Sequence, residues 1–236
     1  PSVYKDETGF WKEKIPSSLA EMLASDEIVV LDNVFDPSVI SRLFVETEEL
    51  IRDGSLKENF QQSVQTRFDK IMDVAEDCMI YCIRRLLEKF ETVHFWSMPG
   101  NHDPHAGSPL ARILRAYFRD NPRLKVDVKP GKFNYMRFGN VLIGSTHGDM
   151  AKPENLPLLM ATDKAQDWGS SAFRYWYVGH VHHKTVKEHP GCIVETCRTL
   201  APRDAWHAGM GYRAGRDMQL IVHHRNFGET VRIRCD

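Results

Sequence analysis

Val93-His94-Phe95-Trp96-Ser97-Met98-Pro99-Gly100-Asn101-His102-Asp103 opens the stretch that decides the fold, and the same design returns twice before residue 184. Asn140-Val141-Leu142-Ile143-Gly144-Ser145 runs into Thr146-His147-Gly148-Asp149, and Tyr175-Trp176-Tyr177-Val178 runs into Gly179-His180-Val181-His182-His183. Each apolar run reads as a strand, and each is followed at once by a loop carrying histidine. In an α/β sheet, ligand-binding and catalytic groups collect at the carboxyl ends of strands, so loops remote in sequence meet at one rim. Three such corners predict an assembled site, and their residue types say which kind. Neutral imidazoles with an amide or carboxylate oxygen suit Mn, Fe, Co, Ni or Zn better than Ca or Mg. No cysteine stands in the three loops, which argues against a structural thiolate zinc and for an open site with exchangeable water. Glycine beside the histidines allows tight turns and close backbone approach.

Upstream, Phe68, Ile71, Ala75, Cys78 or Met79, Cys82, Leu86 and Phe90 recur at three and four, which predicts a long amphipathic helix over Gln62–Phe90. Asp73, Glu76 and Asp77 fall on its solvated face and receive no chemistry. Cys78 and Cys82 read as small core residues rather than a thiol pair. Downstream of Asp103, Pro104 to Pro109 reads as a loop and Leu110–Phe118 as a helix. Arg112, Arg115, Arg119 and Arg123 stud this region, either as a solvated basic face or as contacts for phosphates. Lys125–Val128 and Phe133–Phe138 read as strands, and Phe138-Gly139-Asn140 as a turn. Met150–Phe173 is broken by Pro153, Pro157 and Gly169, which predicts a loop and short helix over the mouth of the site, with Lys152 and Trp168 as surface and core or as substrate contacts.

Beyond His183, strands at 184–187, 192–197, 218–223 and 230–233 are expected to build a second sheet. The fold class is therefore α/β, a two-sheet sandwich flanked by helices. Arg198 to Arg216 is rich in Arg, Trp, His and Tyr, a composition that suits gripping phosphate and base as well as it suits ordinary surface. His189, His207, His223 and His224 read as structural or surface residues. His183 is expected on the side of an extended chain opposite its neighbour.

Gly100-Asn101-His102-Asp103, Thr146-His147-Gly148-Asp149 and Gly179-His180-Val181-His182, in that order, resemble the last three signature blocks of the calcineurin-like metallophosphoesterases. The resemblance spans roughly residues 60–236, takes in Arg198–Asp204, and within the superfamily is nearest to bacteriophage-type, nuclease-like phosphoesterases. It implies that Asn101, His147 and His180 ligate one metal and His182 another, with Mn first among the candidates and Fe, Ni or Zn beside it. It implies His102 as general acid to the leaving group, oriented by Asp103, and Arg198 and Arg203 as substrate contacts. The substrate class it implies is a phosphoester, DNA or a nucleotide included, cleaved by the two-metal logic of in-line displacement.

The family's first two blocks, an Asp-x-His and a Gly-Asp that supplies the bridging carboxylate, do not occur before the helix. Glu27-Ile28-Val29-Val30-Leu31-Asp32 is a strand ending in Asp, but Val34 stands where the histidine belongs, and Arg52-Asp53-Gly54 reverses the other pair. Residues 1–58 thus form an atypical segment that either completes the sheet or hangs beside it, and residues 59–236 form the metallophosphoesterase-like domain. Within the first part, Pro16–Leu23 and Asp36–Ile51 carry helix-start and amphipathic signals. Two other readings stand beside this one. One is a catalytically depleted binding protein on the same fold. The other is an iron(II)- and 2-oxoglutarate-dependent oxygenase through His147-x-Asp149, which leaves Asn101-His102-Asp103 and His180-Val181-His182 without a role.

Bulk properties narrow the setting. The 236 residues, 42% hydrophobic and 27% charged, suffice for one substantial core, and a net charge of −1 gives no global field toward nucleic acid or acidic lipid. Any such binding needs a local patch. Five cysteines without C-x-x-C spacing suit a reducing compartment. With no apolar stretch long enough to span a bilayer and no signal-peptide layout, the expected location is the cytoplasm, a host's if the protein is viral, with no membrane partner.

Overall fold

A computed structural model describes residues 3–5, 11–13, 27–32, 60–101, 107–199, 211 and 213–235. In chain order these give β1 (Val3–Lys5), β2 (Trp11–Glu13), β3 (Glu27–Asp32) and the long helix α1 (Phe60–Lys89). Then come β4 (Val93–Trp96), α2 (Gly107–Tyr117), β5 (Leu124–Asp127), β6 (Asn134–Phe138) and β7 (Val141–Thr146). A 3-10 turn leads to α3 (Leu156–Asp163), α4 (Ala165–Ser170) and β8 (Phe173–Val178). The chain closes with β9 (Thr185–His189), β10 (Cys192–Thr196), β11 (Met218–His224) and β12 (Gly228–Cys235).

The central element is a mixed five-stranded sheet in the order β6-β7-β8-β10-β9, faced by a three-stranded antiparallel sheet in the order β12-β11-β3. Alternation along β7 and β8 explains the layering. Val141, Ile143, Tyr175 and Tyr177 point inward to meet Ile221 of β11, while Leu142, Trp176 and Val178 point outward onto Leu156 and Met160 of α3. With both faces buried, these parallel strands read as near-continuous apolar runs. Gly144 is required for that fit, since a Cβ there would lie 2.7 Å from the Trp176 ring and 2.8 Å from Met160 Cε.

β4 and β5 pair in parallel, Val93 opposite Leu124, with α2 as the crossover between them. Met79, Ile83 and Leu87 of α1, spaced four apart, pack with Leu114 of α2 against Val93 and Leu124. The expected helix face is therefore rotated slightly: Cys82, Leu86 and Phe90 rim the contact instead of centring it. Helix α2 begins at Gly107, three residues before the expected start, because Pro109 is tolerated in a first turn, where its missing N–H has no partner to lose.

One topological expectation is corrected. Thr185–Lys187 and Cys192–Cys197 belong to the first sheet, not the second. β10 lies parallel to β8, Ile193 opposite Tyr175, and Cys197 N–H donates to the Val178 carbonyl at 2.7 Å. β9 follows as the antiparallel hairpin partner of β10, through Gly191 at φ +77. The second sheet draws instead on β3, with Asp32 opposite Gln219. Pro16–Leu23 and the helix expected over Asp36–Ile51 lie outside the described residues.

Between the sheets sits a polar joint. Arg232 donates from Nη2 to Glu195 Oε2 at 2.7 Å and from Nε to Glu229 Oε1 at 2.8 Å, and Lys184 reaches Glu195 Oε1 at 2.8 Å. Two carboxylates thus face two cations, the balance that a buried ionic group needs. Beside it Tyr177 Oη and His223 Nε2 are 2.8 Å apart, with His223 fully buried. No helix among the described residues is long and apolar enough to cross a membrane.

Candidate functional site

The carboxyl ends of β4, β7 and β8 deliver Asn101, His147 and His180 to one place. Asn101 Oδ1 lies 3.0 Å from His147 Nε2, and the His147 and His180 rings meet edge to face at 5.1 Å between centroids. His182 follows half-buried on the same turn as His180. His102, Asp103 and Arg203 lie outside the described residues.

The local backbone explains how the corners come so close. Gly148 has φ +95, and a Cβ there would fall 2.5 Å from Val178 Cγ1. A Cβ on Gly179 would press the His147 carbonyl at 3.2 Å, so glycine on both strands lets the two loops touch. Gly179 N–H donates to the Thr146 carbonyl at 3.2 Å, and Val181 N–H donates to Gly179 at 2.8 Å, closing a tight turn. His180 and His182 adopt φ +68 and +56, a left-handed conformation that costs L residues about 1 kcal/mol or more. The chain is therefore not extended through 180–183, which corrects the alternation expected for His183. The His183 ring instead contacts the Val181 carbonyl through Nδ1 at 2.8 Å.

Lys132, which the sequence pattern did not single out, ties two corners together. Its Nζ donates to the Pro99 carbonyl at 2.9 Å and to Asp149 Oδ2 at 3.0 Å. One ammonium thus spans the loop before Asn101 and the loop after His147. Burial alone would raise the Asp149 carboxyl, but the Lys132 hydrogen bond and charge outweigh it and hold the group below its ordinary value. The carboxylate that an iron site would need from His147-x-Asp149 is engaged by this lysine. A lone Lys in Lys129-Pro130-Gly131-Lys132-Phe133 carries no spacing signal, so only the folded chain shows its role.

Other candidates find structural employment. Arg198 Nη1 donates to Asp217 Oδ2 at 3.1 Å, neutralising a carboxylate with no exposed surface. Trp168 packs on the outer core, with the Arg174 guanidinium 4.5 Å above its ring, and Lys152 is exposed. The Met150–Phe173 segment lies on the outer face of the sheet through Leu156 and Met160 instead of across the mouth of the site. No disulfide joins the cysteines among the described residues.

The donor set can be tested for a metal on its own chemistry. Two ligands at right angles on a cation, each at about 2.1 Å, stand roughly 3.0 Å apart. The Asn101–His147 separation suits that arrangement as well as a direct hydrogen bond. Asn101, His147 and His180 supply an amide oxygen and imidazole nitrogens, a borderline set fit for Mn, Fe, Ni or Zn. Among the described residues no three His, Cys, Asp or Glu side chains gather to hold an ion. The described donors are therefore an amide oxygen and imidazole nitrogens, with no carboxylate among the described residues gathered beside them.

No family model matches the chain, and no curated protein does. Solved structures do, faintly. A Streptococcus pneumoniae protein described as a predicted phosphoesterase is 13% identical over 56% of this chain and 92% of its own, with a TM-score of 0.26. Vps29 from Entamoeba histolytica, complexed with Zn2+, is 14% identical over 66% of this chain and 88% of its own, with a TM-score of 0.34. Vacuolar Protein Sorting 29 from Cryptosporidium parvum is 11% identical over 53% and 76%, with a TM-score of 0.31. Likenesses this slight carry no argument, and the α/β layering stands on the hydrogen bonds and core described above.

Proposed function

We propose that this chain is a metal-dependent phosphoester hydrolase of phosphodiesterase or nuclease-like type. The observation that carries the reading is the meeting of Asn101, His147 and His180 at the ends of three strands. When bound, a divalent transition metal, Mn first, supplies a Lewis acid for the phosphoryl oxygens and lowers the pKa of water. Asn101, His147 and His180 would hold it, and His182 a second ion. His102 donates a proton to the departing alkoxide, with Asp103 orienting its ring. Arg198, which also holds Asp217, and Arg203 contact the substrate phosphate.

A second reading, a binding protein that keeps the fold and has lost catalysis, draws support from the absence of a carboxylate ligand among the described residues. Both are tested together. Protein supplied with Mn is offered bis(p-nitrophenyl) phosphate and DNA. Nitrophenol or new DNA ends that vanish in His147→Ala and His180→Ala support hydrolysis. Stoichiometric metal without either product supports the binding protein, and product that survives both substitutions overturns the site.

A further inference from the structure

From the charge and placement of helix α2 we infer that its outer face is a docking strip for a single nucleic-acid strand, leading to the rim where Asn101 and His147 meet. Residues 107–123 carry Arg112, Arg115, Arg119 and Arg123 against Asp120 alone, a charge of +3 in a chain of −1, so the remainder carries −4. A basic strip on an otherwise acidic body focuses a polyanion onto one flank.

The arginines divide by role. Arg123 is consumed structurally, donating from Nη2 to the Leu87 carbonyl at 2.8 Å and so capping the end of α1. Arg112 and Arg115 on α2 and Arg119 in the turn just after it are all exposed, while Ala111 and Leu114 are buried. Arg112 and Arg115 make no ion pair among the described residues, and Arg119 has only a loose, solvent-exposed approach to Asp120 at 3.7 Å. Arg112 and Arg115 are about 4.5 Å apart along the helix axis and Arg119 follows two residues past the helix end, so the three guanidinium groups form a short row that meets successive phosphates. Arginine presents a fork of donors that matches phosphate oxygens.

Two further features favour a single strand over a bare anionic surface. Tyr117, 51% exposed in the last turn of α2, lies round the helix from Arg112 and Arg115 with the Arg84 guanidinium 5.4 Å over its ring, so a strand leaving the arginines past Arg119 meets an exposed aromatic beside a further cation. The other end abuts the rim: a Cβ on Gly107 would lie 2.5 Å from Ser97 Oγ, just past the end of β4, so α2 starts beside the loop that carries Asn101. A strand lying on the arginines therefore leads toward the imidazoles. Its cleavage rests on the function proposed above, whereas its binding does not.

The test measures binding by fluorescence anisotropy with a labelled 20-nucleotide oligo(dT), without added metal, over a range of salt. The expected result is that Arg112→Gln/Arg115→Gln/Arg119→Gln binds at least tenfold more weakly, with a log–log salt slope shallower by about 2. Replacing all three by lysine restores most of the binding, which separates charge from misfolding. Tyr117→Ala weakens oligonucleotide binding and leaves heparin binding unchanged. Wild-type protein that ignores the oligonucleotide, equal binding by the triple glutamine variant, or binding to phosphatidylserine vesicles alone overturns the inference. Hydrolysis of bis(p-nitrophenyl) phosphate is unchanged in the triple variant. If wild type binds DNA through these arginines yet hydrolyses no diester, the strip stands and the proposed activity falls.

Discussion

His223 and the pair His147 and His180 are the same residue type in opposite circumstances. His223 is wholly enclosed between the sheets, one nitrogen 2.8 Å from Tyr177 Oη. Burial holds its imidazole down, to about 4, so it stays neutral at ordinary pH. His147 and His180 stand at the edge, one against an amide oxygen and both against each other, on backbone that is locally left-handed at His180. Tyr177 and His180 lie three residues apart on one strand and its following turn, so a short piece of chain serves both settings. An interior imidazole there stabilises by being neutral and packed. At the rim, His180 is instead held in an unfavourable backbone conformation.

The sharpest way to break this contrast is Gly148→Ala, which sets a methyl on Val178 at the rim in a left-handed backbone. It should cost roughly 2–5 kcal/mol in urea unfolding, and a change below 1 kcal/mol would mean that the two loops need no such closeness. Next comes pH. Unfolded histidine titrates near 6.5 and folded His223 near 4, so as pH falls between those values the unfolded chain takes up a proton that the folded chain refuses. Stability should therefore drop by about 3 kcal/mol from pH 7 toward 4. Glu229 acts in the same direction at lower pH, since the Arg232 hydrogen bond and charge outweigh burial and hold its carboxyl down. His223→Phe should flatten the first part of that slope, and an unchanged slope would remove His223 as the cause.

Smaller effects sharpen the two sides separately. Tyr177→Phe leaves His223 Nε2 without its partner and should cost about 1–2 kcal/mol by thermal melting, with little change in metal binding. Lys132→Met should cost about 1 kcal/mol of stability and speed amide hydrogen exchange in Ser97–Asn101 and Thr146–Asp149 together. Faster exchange in only one of those loops would show that the lysine does not tie them.

Much of this was legible in the chain. The three strand and histidine corners, the α1 and α2 periodicities and the apolar β7, β8 and β11 strands all follow from patterns within one segment. The misses concern relations between segments. Cys192–Thr196 is as apolar as a second-sheet strand would be, and only its parallel pairing with β8 assigns it to the first. Lys132 contacts the Pro99 loop and Asp149, 33 and 17 positions away, so no local spacing marks it. The positive φ of His180 and His182 is uncommon outside glycine, and histidine, though enriched there among the other types, adopts it too seldom for residue type to mark these two positions. The meeting of Asn101 with His147 was expected from the rim argument, whereas the bond from Arg198 to buried Asp217 was not visible.

The pairing of Asp32 with Gln219 joins positions 187 apart. At roughly 5–20 residues per second on the ribosome, the early strand waits about 10–40 s for its neighbour to be synthesised. During that interval β3 has an open hydrogen-bonding edge, a template for other chains as much as for β11. Long-range closure of this kind also slows refolding. Nascent or refolding protein should thus be most prone to aggregate before β11 emerges, and chaperone dependence should fall once residue 224 has cleared the tunnel.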